Sequence, residues 1–93
     1  YPKVRRDVAL VLPEETPAGA VLDAIAGVGE ELLTDVEVFD VYRGEQLDRG
    51  SKSLAFSLTY MSEERTLTDA DVDAAHGRIV EKLLREFRAS LRE

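Results

Sequence analysis

Cysteine is absent from this sequence, which excludes disulfides, thiol catalysis and thiolate metal sites but leaves the cellular compartment undetermined. Histidine occurs once, at His76. A single imidazole on a helical segment without a spaced partner reads as structural rather than catalytic or metal-binding. No apolar run approaches the ~20 residues that span a membrane, and nothing resembles a secretory leader, so no membrane partner is expected. Asparagine is missing altogether, and aromatic residues make up only 6% of the chain, so rings able to stack on a ligand are few.

Positive charge is also scarce. Twelve Lys and Arg stand against 19 Asp and Glu, a net charge of −7, and that balance alone argues against binding a phosphate backbone, which draws on clustered cations. The distribution softens the objection. Lys3, Arg5 and Arg6 gather near the start, and Arg43, Arg49 and Lys52 flank a central turn, while acids crowd Glu14–Glu15, Glu30–Glu31 and Asp69–Asp73. The 93 residues suit one domain with one modest core, in which about two-thirds of the unfolded surface is buried. The chain opens on Tyr1 rather than Met, and residues 1–93 are expected to be a single domain cut from something longer.

What is present is a pattern of elements. Val8, Leu10 and Leu12 alternate up to Pro13, predicting a half-buried strand over 8–13. Thr16 as N-cap and Pro17 at the first helical position precede Val21, Leu22, Ile25 and Val28 at helical spacing, ending at a left-handed Gly29. From Leu33 to Tyr42 the alternation has a fault: Val36 and Val38 share one face, Phe39 and Val41 the other, and a bulge near Val38 reconciles them. If Phe39 and Val41 point to the core, Asp40 and Tyr42 point out together. A long hairpin loop, RGEQLDRGSK, follows. Leu54, Phe56, Leu58 and Tyr60 then alternate with small or hydroxylated residues, Tyr60 reading as core with its hydroxyl reaching solvent. Thr68 caps a second helix with Asp71 three residues on, and Val72, Ala75, Ile79, Val80, Leu83, Leu84 and Phe87 form its apolar stripe. Asp69, Asp71 and Asp73 point in different directions around that helix, so no metal is expected. Ser90–Arg92 leaves room only for a short last strand. The order β-α-β-β-α-β predicts an α+β, ferredoxin-like fold, with a four-stranded antiparallel sheet, two helices on one face, and the other face carrying Ala9, Asp40, Tyr42, Ser53 and Ala55.

The segments VRRDVALV (4–11), FDVYRG (39–44), KSLAFSLTY (52–60), RTLTD (65–69) and DAAHGRIV (73–80), in that order and at matching spacings, closely resemble the ferredoxin-fold anticodon-binding domain. The resemblance spans essentially the whole chain. It implies a non-catalytic, cytoplasmic accessory domain at the C-terminus of a bacterial phenylalanyl-tRNA synthetase β subunit. Its partners would be the tRNA(Phe) anticodon stem-loop, the rest of the β subunit and the catalytic α subunit of an α2β2 enzyme, with ATP and Mg2+ used by the parent and no cofactor held by this domain. By resemblance the base-reading residues are Asp40, Tyr42 and Ser53, the ring to stack and the carboxylate to accept from a base N–H. Arg5, Arg6, Arg43 and Lys52, with Arg49, are candidate phosphate contacts.

On the residues alone, Asp40 and Tyr42 read as ordinary solvated strand surface, and each cation is as suited to a neighbouring acid as to a phosphate. Two other functions share the fold. An acylphosphatase-like hydrolase needs a phosphate-cradling loop with an Arg after the first strand and a partnering Asn; here that loop is the acidic PEETPAG and the sequence has no Asn. A regulatory or protein-interaction module using the open sheet face remains the alternative.

Overall fold

A computed structural model describes residues 1–92. The first strand, β1, runs Val4–Pro13 and so begins earlier than the apolar alternation suggests. The reason is Arg6, which stands opposite Leu58 on the inward side of the sheet and interrupts the apolar pattern without interrupting the strand. Its guanidinium reaches Asp73 at 2.6 Å and Asp69 at 3.8 Å, both at the start of a helix. The other elements are α1 (Ala18–Gly27), β2 (Leu33–Tyr42), β3 (Ser51–Tyr60), α2 (Asp69–Glu86) and β4 (Ser90–Leu91). All pairings are antiparallel and the strands lie in the order β2-β3-β1-β4, the α+β, ferredoxin-like plan.

One face of this sheet makes the core. Leu10, Leu12, Leu54, Phe56, Leu58 and Tyr60 are buried against Val21 and Ile25 of α1 and Val72, Ala75, Ile79 and Leu83 of α2. Leu22, Val80, Leu84 and Phe87 pack around that cluster, half buried. The helix boundaries have local causes. Thr68 accepts from the Asp71 backbone N–H while the Asp71 carboxylate accepts from the Thr68 N–H, a complete capping box. The Asp71 carboxyl is held well below the usual carboxylate range, first by Arg65 and then by Thr68. α1 lacks such a cap: Pro17, not Thr16, takes the N-cap position with φ −71° and ψ 143°, and no side chain closes it. The proline ring permits that extended geometry, and the helix begins one residue later. Gly29, at φ 69°, does end the helical region in left-handed backbone.

The fault in β2 resolves differently from the sequence reading. Val36 stands opposite Leu58, Val38 opposite Phe56 and Val41 opposite Leu54, all inward-facing positions, whereas Asp40 stands opposite Ala55 and Tyr42 opposite Ser53. The register shift between Val38 and Asp40 makes Phe39 the extra residue of a bulge. Phe39 is therefore not core: it is 49% exposed, with the Arg5 guanidinium 5.6 Å from its ring centroid. Arg5 lies on the outer side, beside Asp7, so the ring does too.

Tyr60 also departs from expectation. Its hydroxyl does not reach water but lies 2.8 Å from His76 Nδ1, with the two rings edge to face. Burial, then Glu30, pushes the Tyr60 hydroxyl up to about 12. Burial, then Arg6, lowers His76. The phenol therefore stays protonated and shares its hydrogen bond with a neutral imidazole.

Candidate nucleic-acid interface

The sheet face away from the helices is a shallow trough. Ser53, Ala55, Ser57 and Thr59 of β3 lie along its floor, with Ala9 opposite Ala55. Asp7 and Val11 of β1 and Glu37, Asp40 and Tyr42 of β2 stand on either side of that floor. Ser53 and Ser57 are buried although no helix covers this face, being 3% and 4% exposed, because short side chains on the middle strand sit below longer neighbours. Between Ser53 and Ser57 lies the row Ala9, Ala55, Asp40, where an exposed carboxylate borders two methyl groups.

Tyr42 stands in the next row, opposite Ser53. Gly44 lies so near its hydroxyl and ring edge that a Cβ there would collide with them; glycine permits the close approach. On the ring face, the Arg92 guanidinium sits 4.2 Å from the centroid. Arg92 is placed by β4, whose Leu91 and Ser90 pair with Leu10 and Val11, and by its own N–H, which donates to the Ala9 carbonyl at 2.9 Å.

The predicted site residues divide between the two faces. Asp40, Tyr42, Ser53 and Arg5 share the open face, with Ser53 beneath its neighbours rather than presented. Arg6 and Lys52 point to the helical side, opposite Leu58 and Leu12 respectively. Arg6 is tied to α2 by Asp73. Arg43 forms a two-pronged ion pair with Glu14, and Lys52 Nζ lies 3.7 Å from the same carboxylate. Arg43 holds the Glu14 carboxyl below its ordinary range. The two cations beside the first loop are thus already joined to an acid. Arg49 is exposed in the β2–β3 loop. The open face keeps Arg5 and Arg92 as cations against Asp7, Asp35, Glu37 and Asp40.

Arg92 and the outward Phe39 are what sequence reasoning missed. Arg92 had no signal, since only tertiary structure brings the chain's end over Tyr42. Phe39 had one: the misaligned alternation of β2 fits an extra outward residue as well as a twist. Among the described residues no group of three or more His, Asp and Glu side chains converges as metal ligands, and no helix is long and apolar enough to cross a membrane.

A helix-backed antiparallel sheet whose free face carries rings, guanidiniums and a central carboxylate defines a sheet-face binding domain of ferredoxin-like class. The chain belongs to the ferredoxin-fold anticodon binding domain family, whose model matches residues 1–92. It is 48% identical over 93 residues to the phenylalanine–tRNA ligase beta subunit of Bacillus cereus, a match covering 100% of this chain and 12% of that protein. The corresponding subunit of Geobacillus kaustophilus is 50% identical over 92 residues (99% of this chain, 11% of that one), and that of Moorella thermoacetica 50% over 93 (100% and 12%). The chain thus spans 11 to 12% of the length of these relatives.

Proposed function

We propose that this chain is one domain, residues 1–93, of a phenylalanine–tRNA ligase β subunit, and that its open sheet face binds the anticodon arm of tRNA(Phe). In this reading it carries out no chemistry. It fixes the far end of the tRNA while a catalytic α subunit, using ATP and Mg2+, joins phenylalanine to the other end in the cytoplasm of the host. The observation that carries it is the pairing of Tyr42 with Asp40 beside the Ala9–Ala55 row. An aromatic ring gives an unpaired base a surface to stack on, and a carboxylate takes a hydrogen bond from a base N–H.

The charge balance fits a contact that discriminates more than it holds. With Asp7, Asp35, Glu37 and Asp40 outnumbering Arg5 and Arg92, phosphate attraction is weak, and the face works as one contact among several in a tethered complex. The test is Tyr42→Ala in the full-length ligase. Loss of one stacking ring costs ~1–3 kcal/mol, a fall of roughly five- to 150-fold in the efficiency of tRNA charging. Phenylalanine-dependent pyrophosphate exchange, which needs no tRNA, stays unchanged. Equal losses in both reactions would mean misassembly, and no loss in charging would remove Tyr42 from RNA contact.

A further inference from the structure

The bulge in β2 leaves two aromatic rings on the open face, and the reading above uses only one. Phe39 is 49% exposed on a strand whose other apolar residues, Leu33, Val36, Val38 and Val41, take inward-facing positions, although Val41 itself is 46% exposed. Alternation from Val36 and Val38 turns this ring outward, and the register shift that follows puts Asp40 and Tyr42 on the same side as it. Each ring has a guanidinium of its own, Arg5 at 5.6 Å from Phe39 and Arg92 at 4.2 Å from Tyr42. Asp40 lies between the two pairs in sequence.

We propose that Phe39 and Arg5 form a second base-stacking station, which takes an unpaired nucleotide close in sequence to the one held at Tyr42. This rests on the open face being the RNA contact. Three steps along the strand separate the ring-bearing positions, about 10 Å at the rise of an extended chain. Bases stacked as in a helix are only about 3.4 Å apart along the strand, so the ligand these stations fit is single-stranded with its bases splayed. A base arriving at Phe39 takes the place of the Arg5 side chain over the ring. The displaced guanidinium, on an exposed strand position, turns to the adjoining phosphate. Every base offers a π face, so Phe39 contributes affinity without base choice, and choice rests with Asp40 between the stations.

The experiment uses the full-length ligase and tRNA(Phe), with 2-aminopurine placed at one anticodon-loop position at a time. With the unsubstituted ligase, two loop positions change fluorescence on binding. Phe39→Leu abolishes the response at one of them and weakens binding roughly five- to 150-fold, Tyr42→Leu abolishes the other, and Phe39→Tyr, which keeps a ring, restores the first. Unchanged melting temperatures separate these effects from unfolding. If Tyr42→Leu weakens binding while Phe39→Leu leaves affinity and both responses intact, the second station is wrong and the RNA contact stands. If neither variant alters binding, or no loop position of the unsubstituted complex responds, the open-face reading falls and the second station with it.

Discussion

Arg92 and Tyr42 meet across the sheet: the guanidinium lies 4.2 Å from the ring centroid, although Tyr42 ends β2 at one edge and Arg92 follows β4 at the other, with β3 and β1 between. Three strand spacings amount to about 14 Å, which a tyrosine and an arginine span only by lying along the sheet from opposite edges. They can do so because the residues between them are short: Ser53, Ala55 and Ala9. An exposed cation–π contact of this kind contributes ~0.5–1 kcal/mol, little enough for a ligand to displace.

Arg92→Ala therefore tests what the guanidinium does once RNA arrives. If it moves from ring to phosphate, its loss removes one counterion-releasing contact, and the slope of log affinity against log salt becomes shallower by about 0.7 for a single strand. Titrations of the anticodon-arm hairpin at several salt concentrations measure this. An unchanged slope would keep Arg92 on the ring.

Gly44→Ala examines the ring from its other edge. The new methyl group collides with the Tyr42 hydroxyl and ring edge, and the movable end of that side chain gives way rather than the backbone. RNA affinity should fall toward that of Tyr42→Ala, with stability changed by less than about 0.5 kcal/mol, as for surface substitutions generally. Affinity equal to that of the unsubstituted chain would mean that the ring's resting place does not matter to binding.

Phe39→Ala and Phe56→Ala make a paired measurement of the bulge. Phe56 is fully buried, so its truncation costs ~3–5 kcal/mol. Phe39 lies at the surface and loses little more than its contact with Arg5, so its truncation costs below about 1 kcal/mol. Chemical denaturation of the two variants decides; comparable losses would put Phe39 back in the core.

The His76–Tyr60 pair sets a pH response. His76 is lowered from 6.5 in the folded chain, so the unfolded chain binds the proton more readily. Its contribution to stability is complete above 6.5 and diminishes as pH falls from there through the lowered folded value. Protonation also leaves Nδ1 able only to donate to the Tyr60 oxygen. Thermal melts should show His76→Gln flattening this part of the profile, whereas a profile identical to that of the unsubstituted chain would detach His76 from it.

Much of the fold was legible because local periodicity records it. The alternation from Leu54 to Tyr60, the stripe from Val72 to Leu83 and the Thr68–Asp71 cap each place their element within a few residues, and the order of elements leaves one sheet face free. The outward phase of Asp40 and Tyr42 was legible too, although the reasoning that led there wrongly assigned Phe39 to the core. Val41 does take an inward-facing position, while Phe39 is the bulged residue, and a sequence shows that its alternation slips without showing which residue is left over. That is decided by pairing with β3, where Val36 meets Leu58 and Val38 meets Phe56 against the core and Val41 then falls opposite Leu54. The fate of the cations was likewise a tertiary matter. Charge along a chain does not indicate which acids will stand nearby, and folding joined Arg6 to Asp73 and both Arg43 and Lys52 to Glu14, leaving on the open face Arg92 and Arg5, the latter beside Asp7. Sequence determined the elements and their order, because backbone preference and burial act over a few neighbouring residues; only the folded sheet decided which side chains share a face, because register couples residues far apart in the chain.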